Sequence, residues 1–508
     1  MGRADRHWRE LSFDELPALR MRRKSLRSAL SRVTVAWMFG IAWISAIAGS
    51  QMTIFCRFLG FGYYEFGLLS AIPYAATLGQ LYAAAYVERT GVRKYQFIYF
   101  ALVHRALWLL IAAIPLIFGV GAAGGHAFLI VFAVSTVLGH ASTPGWQTWM
   151  GDLVPRRVRG RYFANRNLWT LPIQVIVALT AGFLMDRVAA PGADPGHQPR
   201  TLLWLICGIF AVGSISGIID ILVFVRLREI FTRPLVSPDH ASRRRVLETM
   251  LEPLHMLAQA FGDRVFRHYA LYSASIAFSI TISEQFFWLN ALEDVGFGRL
   301  GTNALFLGVG PVAAMVMARP WGALIDRWGR RPMLILASLV AAFSPLGWLL
   351  MVPGQTTTNY LLGIASCFVG GGIWSAIGLA QTSVMLGFSE STGRSRYMAA
   401  AAVVTAIGGF LGGLTGAQVA QGFVFLRQTP LALGHVRWTN YHMVILAAML
   451  VRGLSGLWLV GMPDPGARPV GYVVRTLTFN VYSNVKTFLS WPLRILRRPF
   501  DDDHTPPT

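Results

Sequence analysis

The chain has 508 residues, of which 54% are hydrophobic and 14% charged, and its formal net charge is +21. A soluble domain carries about 25% charged residues. This chain instead repeats apolar runs of about 20 residues, each long enough to cross a ~30 Å hydrocarbon core as a helix. The composition predicts a polytopic membrane protein and excludes a soluble globular fold. A large positive charge can indicate nucleic-acid binding, but here it lies in loops, so we expect a lipid bilayer and no nucleic acid as partner.

Twelve predicted membrane spans follow one another, with a long polar interruption after the sixth. In chain order they cover residues 33–56, 63–87, 95–118, 127–150, 163–186, 201–225, 269–292, 303–325, 332–352, 359–386, 397–424 and 440–462. We number them one to twelve. They predict an all-α protein with a basic leader (1–32), an N-terminal six-helix bundle (33–225), a linker (226–268), a C-terminal six-helix bundle (269–462) and a tail (463–508). Apolar, aromatic and arginine residues alternate in the tail, which predicts a helix lying along the membrane surface.

Lysine and arginine are concentrated on one side of the predicted membrane. The loops on the side of the two termini, with the positions beside them, contain 36 of the 45 basic residues, whereas the opposite loops contain six. Cytoplasmic loops of membrane proteins carry such an excess. We therefore expect both termini and the linker to be cytoplasmic, in a cell inner (cytoplasmic) membrane.

The two bundles are internal repeats related by an offset of about 238 residues. This offset aligns Glu88-Arg89-Thr90-Gly91-Val92-Arg93 with Asp326-Arg327-Trp328-Gly329-Arg330-Arg331. Nearby, RGRYFA at 159–164 mirrors RSRYMA at 394–399. A repeat of six helices in the same orientation explains why a dense cationic stretch interrupts two apolar runs at corresponding places.

The stretch GALIDRWGRRP carries a family resemblance. It matches the pattern G-x-x-x-D-R-x-G-R-R of the loop between the second and third helices of each half in the major facilitator superfamily, and the chain resembles that family over nearly its whole length. The matching residues are Gly322, Asp326, Arg327, Gly329, Arg330 and Arg331. The first-half copy retains Arg89, Gly91 and Arg93, and departs with Ala84, Glu88 and Val92.

The resemblance implies that this motif is a latch that closes the cytoplasmic side in the outward-open state. Asp326 is then expected to face the positive N-terminus of span five, near Tyr162. The arginines are expected to pair with acids that end spans four and ten, namely Asp152 and Glu390. Gly322 would permit close helix approach and Gly329 a tight turn. The alternative is that the arginines only enforce topology.

Polar residues inside the spans are the candidates for a substrate cavity, because ionisable groups there are costly. The resemblance implies that spans one, four, seven and ten line this cavity. Glu284 is a candidate for coupling to an ion, or else an acid at the outer rim exposed to water. Arg319 is a candidate for binding an anionic substrate or pairing with an acid. The remaining candidates, for which helix packing or interfacial anchoring is the alternative, are Gln51, Gln147, Gln285, Asn290, Trp374 and Gln381.

Other chemistry has no support in the sequence. Cys56, Cys207 and Cys367 lie in or beside apolar runs without paired spacing, which predicts buried packing and neither a disulfide nor a metal site. No metalloprotease, hydrolase or phosphate-loop motif occurs, so we expect no enzyme activity, metal or cofactor. Arg105, on an outer helix of the fold, is expected to pair with Asp220 of span six.

These features predict a secondary-active transporter that moves a small organic solute by alternating access between its two halves. H⁺ or Na⁺ is the candidate coupling ion, and a monomer is the expected form. The alternative is a protein of the same fold that no longer transports and serves as an assembly or scaffold factor. The complete second-half motif and the polar residues of the spans favour the transporter.

Overall fold

The fold is seen in a computed structural model that describes residues 23–155, 158–189, 199–227, 260–387 and 394–479. The first six spans are Arg23–Ile47 with Ser50–Phe58, Tyr63–Thr90, Lys94–Ile117, Ala122–Leu153, Arg159–Val188 and Arg200–Val225. The next three are Arg264–Leu289, Arg299–Trp328 and Arg330–Phe343 with Leu346–Leu349. The last three are Thr356–Gly387, Arg394–Gly422 and Asn440–Ser455 with the 3₁₀ turn Gly456–Leu459.

Shorter elements connect or extend the spans. A π-helical turn, Asn290–Asp294, prolongs span seven, and a second one, Ala304–Val309, lies within span eight. Between spans eleven and twelve, a 3₁₀ turn (Val424–Arg427) precedes a hairpin of β1 (Leu431–Leu433) and antiparallel β2 (Val436–Trp438). A helix in the tail, Val470–Phe479, is the last described element.

Ten helices in the described ranges are long and apolar enough to cross a membrane. Two others, Tyr63–Thr90 and Arg264–Leu289, have 28 and 26 residues, or roughly 40 Å each at 1.5 Å per residue. These are spans two and seven, and both pack against the other half of the molecule as well as against their own. Together the helices form the two sets of six predicted from the sequence.

Several boundaries differ from the predicted ones. Span one is already helical at Arg23, the first described residue and part of the predicted leader, and Ala29 and Val33 of this helix pack in the core. Span seven begins at Arg264 rather than 269, since the carboxylate of Asp263 accepts a hydrogen bond from the Phe266 amide at 3.0 Å and caps the helix. Most of the predicted linker, most of the tail and the first 22 residues lie outside the described residues.

Two large apolar clusters fill the interior, and the first of them continues from one half into the other. It centres on tightly buried aromatic rings that include Phe55, Phe128 and Phe210, and it extends to Phe286 and Tyr441 of the second half. The second contains buried Phe266 and Tyr272 and packs spans seven, nine and ten together. Aromatic side chains bury large areas and prefer tilted or edge contacts, and the Phe55 and Phe210 rings, 5.1 Å apart and tilted by 59°, follow this preference.

The two halves meet along spans two, seven and eleven on one side and spans five and eight on the other. We call the face on which span one begins and span twelve ends the terminal face, and the other the opposite face. The contacts between spans five and eight involve the end of span five and the start of span eight, at the opposite face. The halves are therefore joined at the opposite face in this structure.

Span eleven carries a row of glycines that faces span seven. The row consists of Gly408, Gly412 and Gly416, spaced one helical turn apart. A methyl group added at Gly412 would lie 2.3 Å from the carbonyl oxygen of Phe278, and the other two positions are equally close to the span seven backbone. Small residues at this spacing allow two helix backbones to approach closely in a membrane.

A neighbouring row on span eleven faces span two of the other half. A methyl group added at Gly413 would lie 2.6 Å from the carbonyl oxygen of Gly67, and one at Gly409 would lie 2.1 Å from the ring of Tyr74. Ala417 completes the row, since its Cβ would lie 2.6 Å from a methyl group added at Gly67. The contact between the halves therefore depends on the absence of side chains on span eleven.

This packing predicts the effect of Gly413→Ala. The added methyl group overpacks the contact and should destabilise it by about 1–3 kcal/mol, although alanine itself favours a helix by about 0.5–1 kcal/mol. We expect labels placed across the opposite face on spans two and eleven to report a longer distance than in the unchanged protein. Gly378→Ala is the control, because nothing lies within 4 Å of the added group there. Equal distances in the two variants would contradict the prediction.

Candidate functional site

A charged cluster joins the halves at the opposite face. Arg57, at the end of span one, donates from Nε to Glu293 Oε1 at 2.7 Å, and its side chain also contacts the Tyr441 hydroxyl at 3.0 Å. Glu293 accepts further hydrogen bonds from Tyr441 at 2.5 Å and from Arg427 at 3.1 Å. The side chains of Arg57 and Glu293 are 17% and 10% exposed, so this ion pair is shielded from most of the solvent. Glu293 is the acid that holds a cation from each half.

The neighbouring acid, Asp294, makes contacts only within the second half. Its carboxylate receives Arg427 at 3.1 Å and the Thr439 hydroxyl. Burial raises the pKa of Asp294, while Arg427 and Thr439 oppose this shift. Because its pKa is raised, the carboxylate is protonated at a higher pH than that of a solvated aspartate, and its contact with Arg427 weakens there.

A second polar junction lies where span one is interrupted. The chain turns at Gly49, whose φ is 93°, between the two helices of this span. Asn303 of span eight accepts the Ser50 amide at 3.0 Å, and donates to the Gln51 side chain at 3.1 Å and to the Ala178 carbonyl at 2.9 Å. Asn303 is completely buried. One side chain of the second half thus binds two spans of the first.

Gln51, a predicted cavity residue, has another position in this conformation. It is completely buried, and its amide donates to the carbonyl oxygens of Ser45 at 2.8 Å and Ala46 at 3.2 Å. The interruption of the helix frees these carbonyls, which need donors. The side chain therefore seals the break in span one and does not line a cavity.

Asp186 caps span eight from the other half. Its carboxylate oxygens accept the backbone amides of Arg299 at 2.8 Å and Leu300 at 2.9 Å. A carboxylate at the positive end of a helix is stabilising by about 0.3–1 kcal/mol and more when partly buried. The opposite face thus contains the kind of contact that the resemblance implied for Asp326 at the terminal face.

At the terminal face, the second-half motif contacts its own half. Arg330 contacts Asp464, which follows span twelve, at 3.2 Å, and donates to the Ser383 carbonyl at 3.2 Å. The other oxygen of Asp464 accepts the Arg331 amide at 2.9 Å and so caps span nine. Glu390, the predicted partner, lies outside the described residues. Asp464 belongs to no motif in the sequence.

Asp326 and Arg327 are exposed, and neither has a hydrogen bond or ion pair with any residue that the structure describes. The predicted approach of Asp326 to span five, which begins at Arg159, is therefore not made in this conformation. Gly322 does not permit a close helix contact here either, since nothing lies within 4 Å of an added Cβ. Gly329 does form a tight turn with φ 96°, and an added Cβ would lie 2.5 Å from the Ala467 side chain.

In the first-half copy, Arg93 forms an ion pair with Asp152 at the end of span four. The structure thus brings these two predicted residues together, within one half. Gly91 ends span two in the left-handed conformation, with φ 68°. Glu88 and Arg89 lie in the last turn of that helix, and their side chains are outside the described part of the structure.

A cavity of about 690 Å³ lies within the second half, among spans seven, eight, nine, ten and twelve. Five of the twenty residues that line it are aromatic. The ring centroids of Trp288 and Phe306 lie 4.5 Å apart, and the Phe306 ring stacks on Trp348 at 5.0 Å. Two charged residues also line it, Glu284 and Arg452. Its volume is in the range of small-molecule sites, which are usually about 300–1,000 Å³.

The predicted residues Glu284 and Trp374 both line this cavity. The other candidates are more scattered. Gln381 donates to the Ser273 hydroxyl at 3.4 Å, and Asn290 is completely buried where span seven becomes π-helical. Gln147, Gln285 and Arg319 are exposed or partly buried and are not among the residues that line the cavity.

The first half contains a smaller cavity of about 330 Å³. Arg105 and Asp220 line it and form an ion pair at 3.4 Å, which confirms the pairing expected from the sequence. The Arg105 guanidinium also lies 3.5 Å above the ring of Trp43. His104 shares a hydrogen bond of 2.7 Å with Ser135. The buried charges of this half therefore compensate one another.

No sequence motif marks the residues that join the halves. Arg57 is one of the six basic residues of the opposite loops, and Glu293, Asn303 and Asp186 belong to none of the patterns described above. One signal was available, because Glu293 and Asp294 directly follow span seven on the side that has few basic residues. Acids placed there are expected to bind the few arginines of that side, but their arginine partners are 133 to 236 residues away in the chain.

Comparisons with known proteins agree with this architecture. A family model described as Major Facilitator Superfamily matches residues 28–413. The fold is similar to the nucleoside transporter NupG (D323A mutant), with a TM-score of 0.63 at 10% identity over 85% of this chain and 99% of that one. It is also similar to the xylose transporter XylE from E. coli, in an inward-open conformation, with a TM-score of 0.56 at 14% identity over 88% and 98% of the chains.

A third similar structure is a bacterial homolog of the human lysosomal transporter Spinster, in an inward-facing and occupied conformation. Its TM-score is 0.58 at 13% identity, over 87% of this chain and 97% of that one. No curated protein matches this sequence. At identities this low, the structural likeness establishes the fold alone.

The contacts of Glu293 predict the effect of Glu293→Gln. The change removes the charge that holds Arg57 and Arg427. It should weaken the contact between the halves by roughly 1–3 kcal/mol, which is less than the cost of breaking a fully buried ion pair. Labels on spans one and twelve at the opposite face should then move apart. Asp294→Asn is the matched control, because Asp294 contacts only its own half. If both variants shift the distance equally, Glu293 does not join the halves.

Proposed function

Because the chain belongs to the Major Facilitator Superfamily, we propose that it moves a small organic solute across the membrane by alternating access between its two halves. The observation that carries this proposal is the asymmetry between the two faces. Cross-half contacts close the opposite face, whereas Asp326 and Arg327 of the terminal-face motif are exposed without a partner among the described residues. Alternating access requires that the two faces are never open at the same time.

The contacts at the opposite face are of a kind that can break and form again. They consist of helix caps, hydrogen bonds, a shared ion pair, glycine packing and apolar side-chain packing, with no disulfide among the described residues. A scaffold factor of the same fold would need neither separable halves nor a cavity of about 690 Å³ inside one of them. Both features favour transport. Since one chain supplies both halves, we propose that it acts as a monomer.

A transport assay tests this function. The purified protein is reconstituted in lipid vesicles and supplied with labelled sugars, nucleosides, amino acids and organic amines. We expect at least one solute to exchange across the membrane, and to accumulate when a gradient of H⁺ or Na⁺ is imposed. Glu284 is our candidate for the coupling group, so Glu284→Gln should abolish accumulation driven by that ion. Vesicles that exchange no solute faster than protein-free vesicles would contradict the transporter.

We propose that the terminal face is cytoplasmic, because most of the basic residues lie on that side. All three native cysteines are buried, so introduced cysteines can be labelled selectively. An impermeant reagent applied outside the inner membrane should label His435→Cys, on the hairpin of the opposite face. It should leave Arg468→Cys unlabelled until the membrane is made permeable. The reverse pattern would invert the orientation.

We also propose that Asp326 closes the terminal face in the alternative conformation, by capping span five. Asp326→Asn removes a charge worth about 0.3–1 kcal/mol at a helix N-terminus. Labels on the terminal ends of spans five and eight should therefore spend less time at short distance. Asp263→Asn, on the same face, is the control, since Asp263 caps span seven within its own half. Unchanged distances in folded Asp326→Asn would favour arginines that serve topology only.

A further inference from the structure

We propose that the cavity of the second half binds a zwitterionic solute with an apolar or aromatic body. Its ammonium group lies at Glu284 and its carboxylate lies at Arg452. The inference rests on the proposed function, since it identifies the solute class that the transporter would carry. It is drawn from two charged side chains of the cavity, neither of which forms an ion pair with a residue in the described ranges, and from the aromatic rings in the same wall.

Glu284 is the first of these groups. Its side chain is exposed, and it lies in the wall of the cavity. No lysine, arginine or histidine of the described ranges forms an ion pair with it. A carboxylate in the membrane interior is costly unless an opposite charge or water compensates it. Glu284 therefore presents an uncompensated negative charge to whatever enters the cavity.

Arg452 is the second group, and it is only 3% exposed. Its guanidinium donates to the carbonyl oxygens of Ala341 at 3.3 Å and Ser279 at 3.4 Å, and lies 5.0 Å from the ring of Trp374. Its Nε has no hydrogen-bond partner. No carboxylate that the structure describes pairs with it. Two long hydrogen bonds leave most of the five donors of this cation unused.

The first half shows what a compensated arrangement looks like. Arg105 also lies beside a cavity and over a tryptophan, but Asp220 is present as its partner at 3.4 Å. In the second half, Arg452 lies over Trp374 but has no acidic partner among the described residues. Glu284 likewise has no cationic partner there. Glu284 and Arg452 do not form an ion pair with each other. The cavity therefore has one unpaired charge of each sign, which a solute with both charges would satisfy at once.

The walls determine the rest of the solute. Trp288 lies four residues after Glu284, on the same helix face, so its indole ring is placed to contact a cation held by that carboxylate. Ammonium groups bind favourably to tryptophan faces. Phe306 and Trp348 continue the aromatic wall. An apolar body between the two charged groups would lie against these rings, so we exclude a solute that is polar over its whole surface, such as a sugar.

Two matched sets of ligands test the proposal on the purified full-length chain in lipid nanodiscs. One set is tryptophan, tryptamine and indole-3-propionate, and the other is 6-aminohexanoate, hexylamine and hexanoate. We expect the zwitterion of at least one set to bind about tenfold more tightly than either singly charged analogue, which corresponds to about 1.4 kcal/mol. If neither zwitterion binds more tightly than its analogues, the proposal is overturned.

Glu284→Gln separates the two charges. It should weaken binding of the zwitterion and the amine, and leave the affinity of the carboxylate unchanged or higher. Glu65→Gln is the control, since Glu65 lies at the start of span two and outside the cavity.

Arg452→Lys tests the positive charge. It keeps the charge but loses the planar geometry that binds a carboxylate. It should therefore lower the affinity for the zwitterion and the carboxylate, and leave the affinity for the amine unchanged. Equal losses for all three ligands in either variant would indicate a structural role and contradict the proposal.

The outcome is distinguishable from failure of the transporter proposal. Exchange of some other solute, together with no preference for zwitterions, would overturn the binding site and leave transport standing. Selective zwitterion binding without exchange in vesicles would support the binding site and count against transport.

Discussion

The closed face of this molecule depends on how the break in span one is satisfied. A membrane offers no water to the backbone groups that an interrupted helix exposes, and each unsatisfied group costs several kcal/mol in hydrocarbon. Gln51 supplies donors to the freed carbonyls from within the span. The Ser50 amide, however, is bound by Asn303 of the other half. The same contact therefore completes the backbone of span one and holds the two halves together.

This arrangement links opening to hydration. When the halves separate at the opposite face, the Ser50 amide and the Ala178 carbonyl both lose Asn303. The span eight amides of Arg299 and Leu300 also lose Asp186. The free-energy cost of separating the halves is then low only if water enters and replaces these partners. The polar junction is thus stable while the face is dry, and the cost of breaking it falls once the face is wet.

Much of the fold could be predicted from the sequence, because its signals are local or repeated. Apolar run length predicts spans, the offset of about 238 residues predicts the two halves, and the glycine rows of span eleven lie at helical spacing. Arg105 and Asp220 could be paired because both are charges inside outer spans. These patterns do not require knowledge of how distant segments approach.

The contacts between the halves could not be predicted in the same way. Arg57 and Glu293 lie at span ends, where charged residues are usually solvated, and their pairing depends on which face is closed. Asp464 lies in no recognisable sequence motif. It contacts Arg330 because the chain turns back after span twelve. Gln51 is a polar residue in a span, which is typical of a cavity residue. Its side chain instead binds a backbone carbonyl, and the break in the helix at Gly49 explains why. Each of these positions is decided by tertiary geometry.

The terminal face shows how the motif is divided between two tasks. Asp464 already holds Arg330 and the Arg331 amide while the opposite face is closed, so these two residues anchor the start of span nine within the second half. Asp326 and Arg327 lie one turn earlier and are exposed. Closing the terminal face therefore needs new contacts only from this pair, and need not break the anchor. A switch of this kind exchanges a few contacts at each face, each worth about a kcal/mol or a few. That is the scale on which a bound solute can shift the balance between two conformations.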